Sequence, residues 1–193
     1  DLKEKGYNVL ATGEMGIGNT TTSSAVCSVL LDQSVEKVTG KGAGLTNKDL
    51  EHKIEVIRQS IALNKVNADD PLDVLAKVGG LDIAGMAGCY IGGAALNIPV
   101  FIDGFISSVA ALIAIRLVPE CAPYLFPSHC SNEPAGRMIL DAIGKQPYIF
   151  ANMCLGEGTG AVMGFTIADY AFKAYWELPS FEQTNFGTYE ELN

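Results

Sequence analysis

The sequence predicts an α/β fold: a three-layer, doubly wound, mostly parallel sheet. Three observations carry this. Short apolar runs alternate with longer segments of helical period along the chain, the order that builds parallel sheets from strand–helix–strand units. Turns rich in glycine or small polar residues recur where those strands should end, at 13–18, 40–44, 103–105, 127–131 and 155–160. Of 193 residues, 48% are apolar, 18% are charged and 21 are glycine, which suits one compact domain with its own core.

The elements follow in order. "YNVLATG" reads as a first strand, and a helix is expected from Asn19 to Leu31 after its glycine loop. "VEKVTGKGAG" reads as a second strand running into glycines. Thr46 then caps a helix, with Asp49 as the returning acid of a capping box. Leu50, Ile54, Ile57 and Ile61 form its buried stripe, and Lys53 at the stripe's edge can send its amine inward over the core. Asp70-Pro71 starts the next helix, with aspartate as cap and proline in the first turn. "LDIAGMAGCYIGGAALN" reads as a buried helix whose small residues permit close packing. "IPVFIDGF" is the central strand, ending at Asp103-Gly104, and an apolar helix follows through Val118. "YLFPSHCS" gives a further strand and loop, and "LGEGTGA" precedes a last helix from about Gly158 to Trp176. Residues 1–178 thus form one α/β domain of Rossmann-like type, and 179–193 a polar tail. Ligands bind beyond the carboxyl ends of strands in such sheets, where the marked turns lie.

Composition excludes several function classes. A net charge of −9 without any basic run argues against nucleic acid as the main partner. A small phosphorylated ligand needs only a local set of donors, so it stays open. Residues 83–102 carry no charge, yet Gly85, Gly88, Gly92, Gly93, Asn97 and Pro99 interrupt them. A helix followed by a buried strand is expected there rather than a membrane span. The five cysteines are irregularly spaced, with no C-x-x-C pair and only His52 and His129 beside them. Neither a disulfide framework nor a metal site is expected, and a reducing cytoplasm is. No signal-peptide pattern opens the chain; its start at Asp1, without methionine and almost directly on a strand, reads as a fragment or a processed product.

The chemistry concentrates in the turns. From Gly13 the spacing is G-x-x-x-x-G-N-T, a phosphate-binding P-loop with asparagine in place of lysine. Glu14 inside it would repel a polyphosphate, although Asp103 offers an acid for a magnesium-dependent reading. The loop fits a monophosphate nearby, a hydroxyl accepted by Glu14, or a plain strand-to-helix turn. Glu157, between two glycines, can serve as a general base tuned by partial burial, or merely complement the helix dipole. Lys53 is either a phosphate partner or a solvated helix edge. Ser131 either donates to a phosphate or caps the next helix. His129 reads as a structural hydrogen-bonding residue, and the thiols as core fillers.

Together these motifs resemble one family. "GEMGIGNTT", "GKGAGL" followed by Lys53, "DVLAKVGGLDIAGMAG", "PVFIDGF", "PYLFPSH" and "LGEGTGA" occur in this order. The set is similar to the carboxyl-terminal half of the nicotinate-nucleotide:dimethylbenzimidazole phosphoribosyltransferase family, from Tyr7 to about Tyr175. The resemblance implies transfer of the 5-phosphoribosyl group of nicotinate mononucleotide to 5,6-dimethylbenzimidazole, giving α-ribazole 5′-phosphate and nicotinate in cobalamin lower-ligand assembly, without cofactor or metal. It implies Glu157 as the base, and Glu14, Met15, Gly16, Gly42, Lys53, Asp103, Gly104, Phe105, Ser131 and Leu155 as the substrate-binding set. It also implies a homodimer, and an amino-terminal half, beyond this chain, that completes the aromatic-base pocket and a small domain. Two other readings stand beside it. One is a non-catalytic fragment that binds a nucleotide monophosphate or mediates dimer contacts, and the other is a hydrolase descended from the P-loop design.

Overall fold

The computed structural model describes residues 1–184. The sheet has three strands, β1 (Leu10–Ala11), β2 (Val100–Ile102) and β3 (Leu125–Pro127), in the order β1-β2-β3. Both pairings are parallel, with Leu10 opposite Val100 and Phe101 opposite Phe126. This is an open α/β sheet of Rossmann-like type with flanking helices. "IPVFIDGF" is indeed the central strand. The strand expected from "YNVLATG" pairs only at Leu10 and Ala11.

Alternate side chains of β2 face different layers. Val100 lies against α5 (Leu81–Ala95), where a methyl on Gly93 would come within 2.5 Å of the valine. Phe101 faces the other way, edge-on to Phe165 of α8 (Thr159–Glu177) with ring centroids 4.7 Å apart. Helices therefore cover both faces of the central strand, giving three layers. The core continues through α1 (Thr20–Leu30) and α6 (Phe105–Leu117), whose residues from Phe105 to Ala114 are all buried. Tyr90 on α5 is fully buried, donates its hydroxyl to the Ser107 carbonyl and lies 2.6 Å from Thr12 Oγ1. That triangle joins three elements beneath the strand ends.

Local signals placed the caps well. In α3 (Asn47–Asn64) Thr46 accepts from the Asp49 amide and Asp49 returns the bond. In α4 (Pro71–Val78) Asp70 accepts from the Leu72 and Asp73 amides.

The second expected strand is not one. Val35–Val38 is a single helical turn, α2. Val35 and Val38 share its buried side, as i and i+3 do on a helix, and the Thr39 hydroxyl closes the turn on the Val35 carbonyl. A 3-10 helix at Pro119–Tyr124 went unread, and the helix expected after Ser131 is α7 (Gly136–Ala142), whose N-cap is Ala135. No helix among the described residues is long and apolar enough to cross a membrane, and the uncharged run divides into α5 and β2 as expected. Of the polar tail, 179–183 are exposed, and 185–193 lie outside the described residues.

Candidate active site

Five loops meet beyond the strand ends and enclose a cleft of about 570 Å³. The loop between β1 and α1 contributes Glu14, Met15 and Gly16, and the loop before α3 contributes Gly42. The end of β2 gives Asp103, Gly104 and Phe105; the loop after β3 gives Ser131; the loop before α8 gives Leu155 and Glu157. Of the residues singled out in the sequence, only Lys53 stands behind the cleft wall rather than on it.

The two glutamates are brought together by backbone. The Glu157 amide donates to the Glu14 carbonyl at 2.8 Å. Gly13 packs so tightly on Gly158 that an added methyl would lie 2.4 Å from the Gly158 nitrogen. Gly156, Glu157 and Gly158 all hold positive φ, at 77°, 59° and 78°. Glutamate disfavours that region, so its side chain is held there at a cost of about 1 kcal/mol or more. Glu14 is half-buried, and its Oε2 accepts from the Gly16 amide at 2.6 Å. Glu157, by contrast, is exposed. The partial burial expected of it is absent, because the left-handed loop projects it into the open cleft.

What holds this loop is Asp103, a side chain only 1% exposed. Its Oδ2 accepts from the Gly158 amide at 2.9 Å, and its Oδ1 from the amides of Gly160 at 2.7 Å and Ala161 at 3.3 Å. These are orphan donors at the start of α8, and a carboxylate also complements the positive helix end.

A second pole lies around Lys53, which is 7% exposed. Its amine donates to Thr20 Oγ1 at 2.9 Å and to the Gly40 carbonyl at 3.0 Å. Burial pulls its pKa down, against the opposing pull of Glu133. Thr20 begins α1 and lines the cleft together with Gly42, Ser131 and Glu133. The Glu133 amide donates to Ser131 Oγ at 3.3 Å, so Ser131 stays in the turn with its own proton free to give. This end of the cleft offers hydroxyl groups and glycine backbone, with the Lys53 cation behind Thr20 and the Glu133 carboxylate beside them, so hydroxyls, backbone and cation together can receive an anion.

Asn19, in the P-loop lysine position, does not face this pole. Its amide donates to Asp82 Oδ2 at 2.7 Å. With Asp103 engaged by backbone amides as well, the triphosphate reading loses both of its key residues.

The phosphoribosyltransferase family model matches residues 1–186. The chain belongs to this phosphoribosyltransferase family. It is 53% identical over 191 residues to the nicotinate-nucleotide–dimethylbenzimidazole phosphoribosyltransferase of Ruminiclostridium cellulolyticum, covering 99% of this chain and 54% of that protein. Against the enzyme of the same name from Clostridium acetobutylicum identity is 48%, with 100% and 54% covered. The crystal structure of CobT from Thermus thermophilus superposes with a TM-score of 0.89 at 33% identity, over 96% of this chain and 55% of that one. The chain spans about half the length of the curated relatives it matches.

Sequence reasoning missed two members of this cleft. Thr20 was one polar residue in a run of three threonines, with nothing to mark it as the partner of Lys53. Glu133 carried no signal beyond its turn, yet its carboxylate lies against Gly40, where a methyl would come within 2.0 Å of Oε2. His129 is a buried hydrogen-bonding residue as read, 2% exposed with Nδ1 3.1 Å from Ser128 Oγ.

Burial pushes the His129 imidazole below its ordinary value of 6.5, against the pull of Asp103. The unfolded chain therefore takes up that proton first. Its contribution to stability is complete above the ordinary value and is lost as pH falls below it. Burial raises the Glu133 carboxyl, whose contribution has the opposite sign: present at low pH and lost as pH rises through its folded value. Urea unfolding across about pH 5 to 6.5 should show His129→Asn with a flatter stability profile than wild type. An unchanged slope would contradict the burial argument.

Proposed function

We propose that this protein is the reacting half of a nicotinate-nucleotide:dimethylbenzimidazole phosphoribosyltransferase. The observation that carries the reading is the tie between the two glutamate loops, in one cleft with Thr20, Gly42 and Ser131 and with Lys53 bonded to Thr20. The names of the relatives supply the substrates, nicotinate mononucleotide and dimethylbenzimidazole.

The chemistry suits these groups. In the donor, ribose is joined to a cationic pyridinium, so nicotinate departs with the bonding electron pair and needs no general acid. One benzimidazole nitrogen forms the new bond to the anomeric carbon from the opposite face, converting a β-linkage into an α-linkage. Positive charge grows on the incoming ring, and its other nitrogen gives up its proton. Glu157 takes that proton and stabilises the charge before transfer. Glu14 lies beside the ribose. Lys53, the glycine loops and Ser131 hold the 5-phosphate, fixing the sugar for in-line attack. Met15 and Leu155, 61% and 65% exposed, supply apolar surface toward the aromatic base. That wall is open, and the amino-terminal half carried by longer relatives completes it for turnover.

The test assays release of nicotinate from nicotinate mononucleotide with dimethylbenzimidazole, using the chain together with an amino-terminal half supplied from a relative. Product formation is expected, and its absence under saturating substrates would contradict the reading. Lys53→Met should raise KM for the nucleotide about 10- to 100-fold with a smaller effect on kcat, since a charge-assisted hydrogen bond is worth about 1.5–3 kcal/mol. An unchanged KM would remove Lys53 from the phosphate site.

The same reading places the protein in the cytoplasm, where its unpaired thiols would persist. It also makes the protein a homodimer, for which the exposed Tyr170, Phe172, Tyr175 and Trp176 on α8 offer apolar surface. A monomer in sedimentation at micromolar concentration would contradict the dimer.

A further inference from the structure

His129 has no part in the chemistry above, yet it stands in the cleft wall and one edge of its ring is committed. The Ser128 hydroxyl, 3.1 Å from Nδ1, has a single proton, which it gives to the Ile102 carbonyl at 2.7 Å. Ser128 Oγ therefore meets the imidazole as an acceptor, and the proton between them belongs to Nδ1. Asp103 flanks the same edge: a methyl on Gly160 would lie 2.0 Å from Nδ1 and 2.8 Å from Asp103 Oδ1. A carboxylate there also favours the proton on Nδ1. Burial keeps the ring neutral, which leaves a lone pair on Nε2.

That lone pair is unused. Among the described residues, no hydrogen bond reaches Nε2; the ring's single bond is through Nδ1. Nε2 lies over Gly104, the cleft residue that opens α6, where an added methyl would stand 3.5 Å away in ordinary contact. Nε2 is not one of the fully buried polar atoms left without a partner among the described residues, so it opens to the cleft, where a bound ligand can donate to it in place of water. A carboxylate and the dianionic phosphate ester of a sugar phosphate carry no proton at neutral pH and would face the lone pair as like poles. A sugar hydroxyl fits.

We infer that His129 Nε2 accepts a hydrogen bond from a ribose hydroxyl, so that the cleft recognises the sugar of a sugar phosphate separately from its phosphate. The inference rests on the ribose-phosphate reading above and deepens it. Ser128 is the positioning residue, because it fixes which ring nitrogen keeps the lone pair.

Nitrogen-15 spectra of the histidine rings test it, with inorganic phosphate and ribose 5-phosphate as probes. In the free protein His129 Nε2 should resonate as an unprotonated nitrogen. Saturating ribose 5-phosphate should move it upfield, toward the hydrogen-bonded position, and inorganic phosphate should not. A protonated Nε2 in the free protein would overturn the inference, as would an Nε2 unmoved by ribose 5-phosphate. The Lys53 ammonium and the Gly42 amide report the phosphate site independently. If phosphate moves them and ribose 5-phosphate leaves Nε2 in place, this inference alone fails. If neither probe moves them, the ribose-phosphate reading fails and takes the inference with it.

Binding gives a second readout. His129→Phe should lose about five- to tenfold in affinity for ribose 5-phosphate, with inorganic phosphate unchanged. His129→Gln, which brings an amide oxygen close to the Nε2 position, should restore most of it. Gly104→Ala keeps the imidazole and its bond to Ser128 but fills the space beside Nε2, and should show the same selective loss. Retained preference for the sugar phosphate in both His129→Phe and Gly104→Ala would overturn the assignment.

Discussion

Glu157→Gln should lower kcat about 10²- to 10⁴-fold if Glu157 is the proposed general base, while binding of nicotinate mononucleotide should stay within about twofold. The variant is close to isosteric. Glutamine occupies the same left-handed conformation at the same backbone cost, keeps the amide that donates to the Glu14 carbonyl, and leaves the Asp103 contacts untouched. Only the capacity to take a proton and to balance charge on the incoming ring is lost. Glu157→Gly separates the two roles of the position. It removes the side chain and also relieves the positive φ of 59°, so it should be about 1 kcal/mol more stable than wild type and equally impaired in turnover. Higher stability with lost activity identifies strain that is retained for function. Undiminished turnover in Glu157→Gln would remove this residue as the base.

Asp103→Ala should cost about 3–5 kcal/mol of stability and abolish turnover. Three backbone amides around Gly158, Gly160 and Ala161 converge on that buried carboxylate. Bonds to a charged acceptor contribute about 1.5–3 kcal/mol each, and leaving the donors dry adds further cost. Asparagine is no remedy, since its amide nitrogen must point donor to donor at one of the two sides. Local loss comes first: the amides of 158–161 should exchange with solvent faster in the variant, even where the rest of the fold stays protected. Urea unfolding and amide exchange read the two effects separately. A drop below about 1 kcal/mol, less than one such bond contributes, would mean that the Gly13–Gly158 contact and the Glu157–Glu14 backbone bond hold the loop without Asp103.

These two residues show what the sequence made legible. Glu157 stood out because a glutamate flanked by glycines is an unusual turn, and local chemistry suffices to notice it. The Thr46–Asp49 box and the Asp70-Pro71 start were visible for the same reason: partners three residues apart reveal each other. Asp103 was visible as a strand-end acid, but its partners lie 55 to 58 residues away, and no local pattern announces a contact of that span. Lys53 likewise could be sent inward from its helix edge, while its acceptors Thr20 and Gly40 were set by how α1, α2 and α3 pack. The misread element was "VEKV". Two valines three apart fit a strand run by composition and a helical turn by spacing, and the Thr39 hydroxyl on the Val35 carbonyl decided for the turn. His129 was weighed as structural, which is true of Nδ1. The free Nε2 edge became apparent only once the Ser128 proton was traced to Ile102.

In the proposed reaction the two glutamate loops and the Lys53 pole share one sugar phosphate, with Glu157 on the attacking side. A crystal structure with nicotinate mononucleotide bound tests it directly. The 5-phosphate should lie among Lys53, Gly42 and Ser131, with the Glu157 carboxylate facing the anomeric carbon from the side opposite nicotinate. A phosphate bound elsewhere in the cleft, or a Glu157 turned toward the departing nicotinate, would contradict it.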